Sequence, residues 1–175
     1  MTPIQVLILM GSDSDLPIMQ GAADLLNEFG ISHEITVASA HRSPDRVERL
    51  LDEARARGVQ VFIAGAGAAA HLAGVIAART VKPVIGVPIE SSSLKGLDAL
   101  LSTVQMPPGV PVATVSLGKS GAINAAVLAA EILALSDRNI AARLEEYKRK
   151  LAEKVEQAAA RLGSGPGELV TVPKP

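Results

Sequence analysis

The chain reads as an α/β protein built on a doubly wound parallel sheet, and three observations predict this. Five short apolar runs alternate with longer segments of helical period, the pattern of strands joined by crossover helices. The 175-residue length suits a single domain of this kind. Pro44 falls in a first helical turn, while Gly30 and Gly58 fall just past helix ends, as chain punctuation in such a domain requires.

The first strand is expected at Ile4–Met10. It leads through Gly11-Ser12-Asp13-Ser14-Asp15 into a helix pattern over Asp15–Phe29. A second strand at Glu34–Ala38 carries the β-branched Ile35, Thr36 and Val37, and a helix over Pro44–Arg57 follows. The third strand, Val59–Ala64, runs into a loop of small residues and a helix over Ala69–Thr80. Pro83–Pro88 with Leu94–Ser102, then Val112–Leu117 with Gly121–Leu135, complete a five-stranded unit.

A last helix is expected from Asp137 to Leu162, with Ile140, Leu144, Tyr147, Leu151 and Val155 on one stripe. Such a stripe could lie on the surface of its own domain, but the five-stranded unit is complete without it, so packing against a neighbouring subunit is expected. Residues 1–162 then form one domain. Gly163-Ser164-Gly165-Pro166-Gly167 opens a tail, residues 163–175, expected to be flexible.

Composition narrows the function. Apolar residues make up 48% of the chain, enough for a substantial core. A formal charge of -1 gives no electrostatic case for nucleic acid or for an acidic membrane surface. No cysteine is present, which excludes disulfides and thiolate metal sites and suits a reducing cytosol. Ile4–Met10 is too short for a signal-peptide core or a membrane span. With two phenylalanines and one tyrosine, the chain has little with which to stack a base. Backbone groups and small side chains would have to hold a heterocycle instead.

Ser39-Ala40-His41-Arg42-Ser43-Pro44 packs a hydroxyl, an imidazole and a guanidinium into one loop after the second strand. In open α/β sheets ligands bind at the carboxyl ends of strands. Arginine reads phosphate bidentately and histidine transfers protons near neutrality. Together they point to a phosphorylated small molecule held beside an acid/base, His41. In the 11–15 loop, Ser12 and nearby N–H groups could bind an anion, with Asp15 accepting from ribose hydroxyls. An ordinary capped turn explains the same residues without a ligand.

Three other patterns carry less. Gly65-x-Gly67-x-x-Ala70 matches a loose dinucleotide fingerprint, yet it sits in the third strand–helix unit rather than the first. Its small residues would let a ligand approach the backbone. Gly118-Lys119-Ser120 ends like a phosphate loop, but Ala113 stands where the leading glycine is required. His33, His41 and His71 lack metal-ligand spacing, and His33 is expected to be solvated in a turn.

These segments occur in the order and spacing of a known family. Gly-Ser-Asp-Ser-Asp at 11–15, Ser-Ala-His-Arg-Ser-Pro at 39–44, and Ala-Gly…Ala-Ala-His-Leu at 64–72 are three of six such motifs. Gly-Val-Pro at 86–88, Val-Gln-Met-Pro at 104–107 and Gly-Lys-Ser-Gly-Ala-Ile-Asn-Ala-Ala at 118–126 are the others. Over roughly residues 4–160 the chain closely resembles the class I N5-carboxyaminoimidazole ribonucleotide mutases of purine biosynthesis. Ser43 and Ala73 depart from the commoner threonine and proline without removing a functional group.

The resemblance implies a three-layer α/β/α, flavodoxin-like fold, a cytoplasmic homo-octamer, and sites built at subunit contacts. It implies no cofactor: a carboxylate moves from the exocyclic amine of an aminoimidazole ribonucleotide to ring carbon C4 without metal, ATP or biotin. By motif position, Ser12, Ser39 and Arg42 would hold the 5′-phosphate and Asp15 the ribose. His41 would be the acid/base, with Gly67, Ala68, His71 and Leu72 closing around base and carboxylate. A second branch uses free carbon dioxide and tends to have lysine after the histidine, so Arg42 favours the mutase branch. A non-catalytic nucleotide- or flavin-binding module is the alternative of a different class.

Overall fold

The computed structural model describes residues 3–162. In chain order the strands are β1 (Val6–Met10), β2 (His33–Val37), β3 (Val61–Gly67), β4 (Val84–Ile89) and β5 (Ala113–Thr114). The helices are α1 (Leu16–Glu28), α2 (Pro44–Ala56), α3 (Leu72–Ala77), α4 (Leu97–Val104), α5 (Gly118–Ala134) and α6 (Arg138–Arg161). All pairings are parallel, in the order β2-β1-β3-β4-β5. This is the flavodoxin-like order, and it reverses direction between β1 and β3.

Side chains of β1, β3 and β4 alternate across the sheet and are buried on both faces, whereas the edge strands β2 and β5 are only partly covered. Val6, Ile8 and Met10 enter one core with Val61, Ile63, Ile85 and Val87, packed against α1 and α5. Leu7 and Leu9 enter the other with Phe62 and Ala64, packed against α2 and α3. Strands covered on both faces read as continuous apolar runs, which is why β1 is uninterrupted. Each fully buried residue such as Ile8 or Ile63 contributes about 1.5–3 kcal/mol of transfer free energy.

On α5, Ala122, Ala125, Ala126, Ala129 and Ala130 are all buried, so small side chains let this helix approach α1 and β4 closely. The first half of α6 closes that face: Ile140 and Leu144 are buried, and Tyr147 meets Phe29 edge-on at a 5.4 Å centroid distance. Beyond Tyr147, Lys148 still pairs with Glu131 of α5 at 2.8 Å, but the apolar stripe is less covered. Leu151 is 44% exposed and Val155 66%.

Several boundaries differ from expectation. β3 continues through Gly65-Ala66-Gly67, which pair with Val87, Pro88 and Ile89 of β4. The glycine pattern is therefore strand, not a turn opening a helix, and the dinucleotide reading loses its structural context. β5 shrinks to two residues beside a segment whose Pro107, Pro108 and Pro111 have no N–H to donate. His33 is not solvated in a turn. It opens β2, half-buried, and its Nδ1 lies 2.9 Å from the Ile31 carbonyl, to which it must donate. Gly30 and Gly58 take positive φ of 66° and 76°, as helix-ending glycines do. The expected tail, residues 163–175, lies outside the described residues.

Candidate active site

The reversal between β1 and β3 opens a crevice at their carboxyl ends, where doubly wound sheets bind ligands. A pocket of about 270 Å³ lies there, lined by the 11–15 loop, residues 39–42, the end of β3 and Ser91 after β4. Of the residues expected from sequence, Ser12, Asp15, Ser39, His41, Arg42, Gly67, His71 and Leu72 line it. Ala68 does not. It occupies the adjoining turn with φ of 50°, a conformation that side chains disfavour.

The 11–15 loop is a capped 3-10 turn over Asp13–Asp15. The Ser12 hydroxyl accepts from the Ser14 N–H at 3.3 Å, and Asp15 Oδ2 accepts from the Ser12 N–H at 3.0 Å. Each satisfies a donor that the turn would otherwise leave open. Asp15 is only 6% exposed. Burial pushes its carboxyl above the ordinary value, opposed by the Ser12 N–H; Asp13 raises it further and Arg42 lowers it.

The 39–43 loop is closed on itself. Ser43 Oγ accepts from the Ser39 N–H at 3.2 Å and donates to the Ser39 carbonyl at 3.3 Å. The Arg42 N–H donates to Ser39 Oγ at 3.2 Å, and the Arg42 guanidinium donates to the Gly11 carbonyl at 3.0 Å. The guanidinium thus bridges the ends of β1 and β2, and other donors remain on it for an anion. A more open cleft lined by Gly11, Ser12, Asp13, Ser39, Arg42 and Arg46 adjoins on its other side.

His41 meets His71 from across the crevice. His41 Nε2 lies 2.8 Å from His71 Nδ1, with the rings at 74°. Both histidines are exposed in the single chain. The wall beside them is Ala66, Gly67 and Ala69, which brings backbone within reach of a ligand. Cationic and hydroxyl donors, one buried carboxylate and a histidine pair can bind an anion, hold a polyol and move a proton.

Sequence reasoning missed Ser14 and Ser91 as lining residues. Ser14 belongs to the 11–15 loop already singled out. Ser91 opens the serine run after β4, and the rule that ligands sit at strand carboxyl ends would have found it.

Comparison with known proteins agrees with the fold. The family model described as AIR carboxylase matches residues 5–154. The N5-carboxyaminoimidazole ribonucleotide mutase of Thermotoga maritima is 54% identical over 155 residues, covering 89% of this chain and 90% of its own. The Escherichia coli protein of that name is 48% identical over 153 residues, covering 87% and 90%. Two crystal structures of Treponema denticola PurE proteins, each 33% identical, superpose with TM-scores of 0.84 and 0.83. They cover 94% and 91% of this chain, and 100% and 99% of their own. The chain belongs to the AIR carboxylase family.

Proposed function

We propose that this protein is an isomerase of purine biosynthesis. It moves the carboxylate of N5-carboxyaminoimidazole ribonucleotide to C4, giving 4-carboxy-5-aminoimidazole ribonucleotide. The observation that supports this best is one pocket holding His41, Asp15, Arg42 and the hydroxyls of Ser12 and Ser39. Curated relatives about 50% identical over most of the chain bear the mutase name.

The residues suit the chemistry. Arg42, Ser12 and Ser39 hold the phosphate through charge-assisted and hydroxyl hydrogen bonds. Asp15 accepts from the ribose. His41 protonates the carbamate nitrogen, the N–C bond breaks, and carbon dioxide is released. The enamine-like C4 then bonds to that carbon dioxide, and His41 takes the C4 proton to restore aromaticity. A positioned acid/base contributes about 10²–10⁴-fold to such a step.

Freed carbon dioxide has to stay in place, so the pocket must close. A single chain leaves His41 and His71 exposed, and the distal half of α6 presents Leu151 and Val155 to solvent. Both features fit a homo-octamer in which neighbouring subunits complete the site, working in the cytoplasm. Light scattering that returned a monomer would remove that part of the reading.

The test is an ultraviolet absorbance assay run without ATP or metal. Rapid conversion of the N5-carboxylated ribonucleotide is expected. Efficient use of the uncarboxylated ribonucleotide with bicarbonate, in place of the carbamate, would make the protein a direct carboxylase instead.

A further inference from the structure

The contact between His41 and His71 has a chemical consequence. At 2.8 Å between two imidazole nitrogens, one must carry the hydrogen and the other a lone pair. The bond uses Nε2 of His41, leaving its Nδ1 without a hydrogen-bond partner among the described residues. An imidazole free in solvent exchanges its proton between both nitrogens. A histidine that gives a proton to one ligand atom and retrieves one from the next needs a single nitrogen in that role throughout.

The fold holds His71 firmly enough to impose this. His71 is the residue before α3, its carbonyl accepting from the Val75 N–H at 2.9 Å, and the turn from β3 to it is closed by bonds from the Ala70 N–H to the Ala68 carbonyl and the His71 N–H to the Ala69 carbonyl, 2.9 and 2.8 Å. Ala68 adopts its left-handed φ of 50° in that turn. Strained residues of this kind cost about 1–2 kcal/mol and persist only where the surroundings enforce them. The 39–43 loop holds His41 through the Ser39–Ser43 bonds. The two rings are therefore presented to each other by separately braced loops.

We infer that His71 is a positioning residue for His41. Its Nδ1 accepts the Nε2–H of His41, keeps the proton on that nitrogen, and makes Nδ1 of His41 the atom that works on the ligand. This rests on the proposed function. In the protonated state, His41 carries N–H on both nitrogens: Nε2–H stays with His71 and Nδ1–H is left for the ligand. Nδ1 gives its proton to the carbamate nitrogen as the N–C bond breaks, and the electron pair at C4 forms the new C–C bond. The Nδ1 lone pair then takes the C4 proton, so the proton count of the pair is unchanged at the end of the cycle. The Nε2–H···Nδ1 bond is charge-assisted while His41 carries both protons, which holds the ring in place through the step.

The experiment uses the intact protein and its His71→Ala and His71→Asn variants. Protein labelled with 15N-histidine reports the tautomer of His41 by NMR, with His41→Asn assigning the signal. The wild type is expected to show His41 protonated at Nε2, and His71→Ala a mixture of both tautomers. In His71→Ala, kcat for the carbamate is expected to fall about 10- to 100-fold, with KM changing less than about threefold. His71→Asn places an amide oxygen near the position of Nδ1 and is expected to restore the tautomer and most of kcat. An unchanged His41 tautomer in His71→Ala, or a raised KM at constant kcat, would overturn the inference. A wild type that does not convert the carbamate would instead refute the proposed function, and the tautomer measurement would still decide the role of the bond.

Discussion

Ser91 Oγ occupies the space that a side chain at Gly67 would need: a Cβ there would lie 2.1 Å from it. The same Cβ would stand 2.6 Å from Ser91 Cβ and 3.0 Å from the Ile89 carbonyl, so rotating the Ser91 hydroxyl away cannot relieve the clash alone. β3 and β4 end side by side at this point, and their last residues form the pocket wall. Gly67→Ala is expected to destabilise the protein by about 1–3 kcal/mol, in the range of overpacked sites. Turnover should fall as Ser91 is driven into the pocket. Chemical denaturation of Gly67→Ala and of Gly67→Ala with Ser91→Gly checks this, the second change recovering part of the stability.

Arg42 bridges the Gly11 carbonyl and the Ser39 hydroxyl while keeping donors for an anion. Arg42→Ala is expected to raise KM about 10- to 100-fold, from the loss of charged hydrogen bonds worth about 1.5–3 kcal/mol. Thermal stability of the ligand-free protein should change little, because the guanidinium is exposed. Arg42→Lys should recover only part of the affinity, since an ammonium cannot reproduce the bidentate fork. Steady-state kinetics with paired melting curves separates the two effects.

Asp15 titrates against burial. Its folded-state value is raised above the ordinary 3.8, so the carboxyl contributes stability that is fully present below that value. This contribution is lost as pH rises through the raised folded value. Asp15→Asn is uncharged at every pH and still offers an oxygen to the Ser12 N–H. The variant is therefore expected to gain on the wild type as pH rises through this window, while nucleotide affinity falls about tenfold from the lost acceptor. Denaturation at a series of pH values and calorimetric titration measure both. A stability difference that stays flat with pH would refute the burial effect at Asp15.

The parts of this structure legible from sequence are those with a physical signature of their own. β1 is an unbroken apolar run because both of its faces are buried, and the 39–44 loop concentrates chemically active side chains at a strand end. The strand character of Gly65-Ala66-Gly67 was hidden, because no side-chain pattern marks it and pairing with Val87, Pro88 and Ile89 alone creates it. The His41–His71 contact spans thirty residues and depends on where two loops stand across the β1/β3 crevice. Ser91 follows β4 at the carboxyl end of the sheet, so its position was legible from the strand order even though its side chain carries no motif.

The most direct test of the proposed chemistry is His41→Asn, with turnover of the carbamate and binding of the nucleotide product measured on the same preparation. Turnover is expected to fall by about 10²–10⁴-fold or beyond detection. Product affinity should stay within about threefold of wild type, because Arg42, Ser12, Ser39 and Asp15 are untouched. Near wild-type turnover in His41→Asn, or loss of binding in step with loss of rate, would contradict the assignment of His41 as the acid/base.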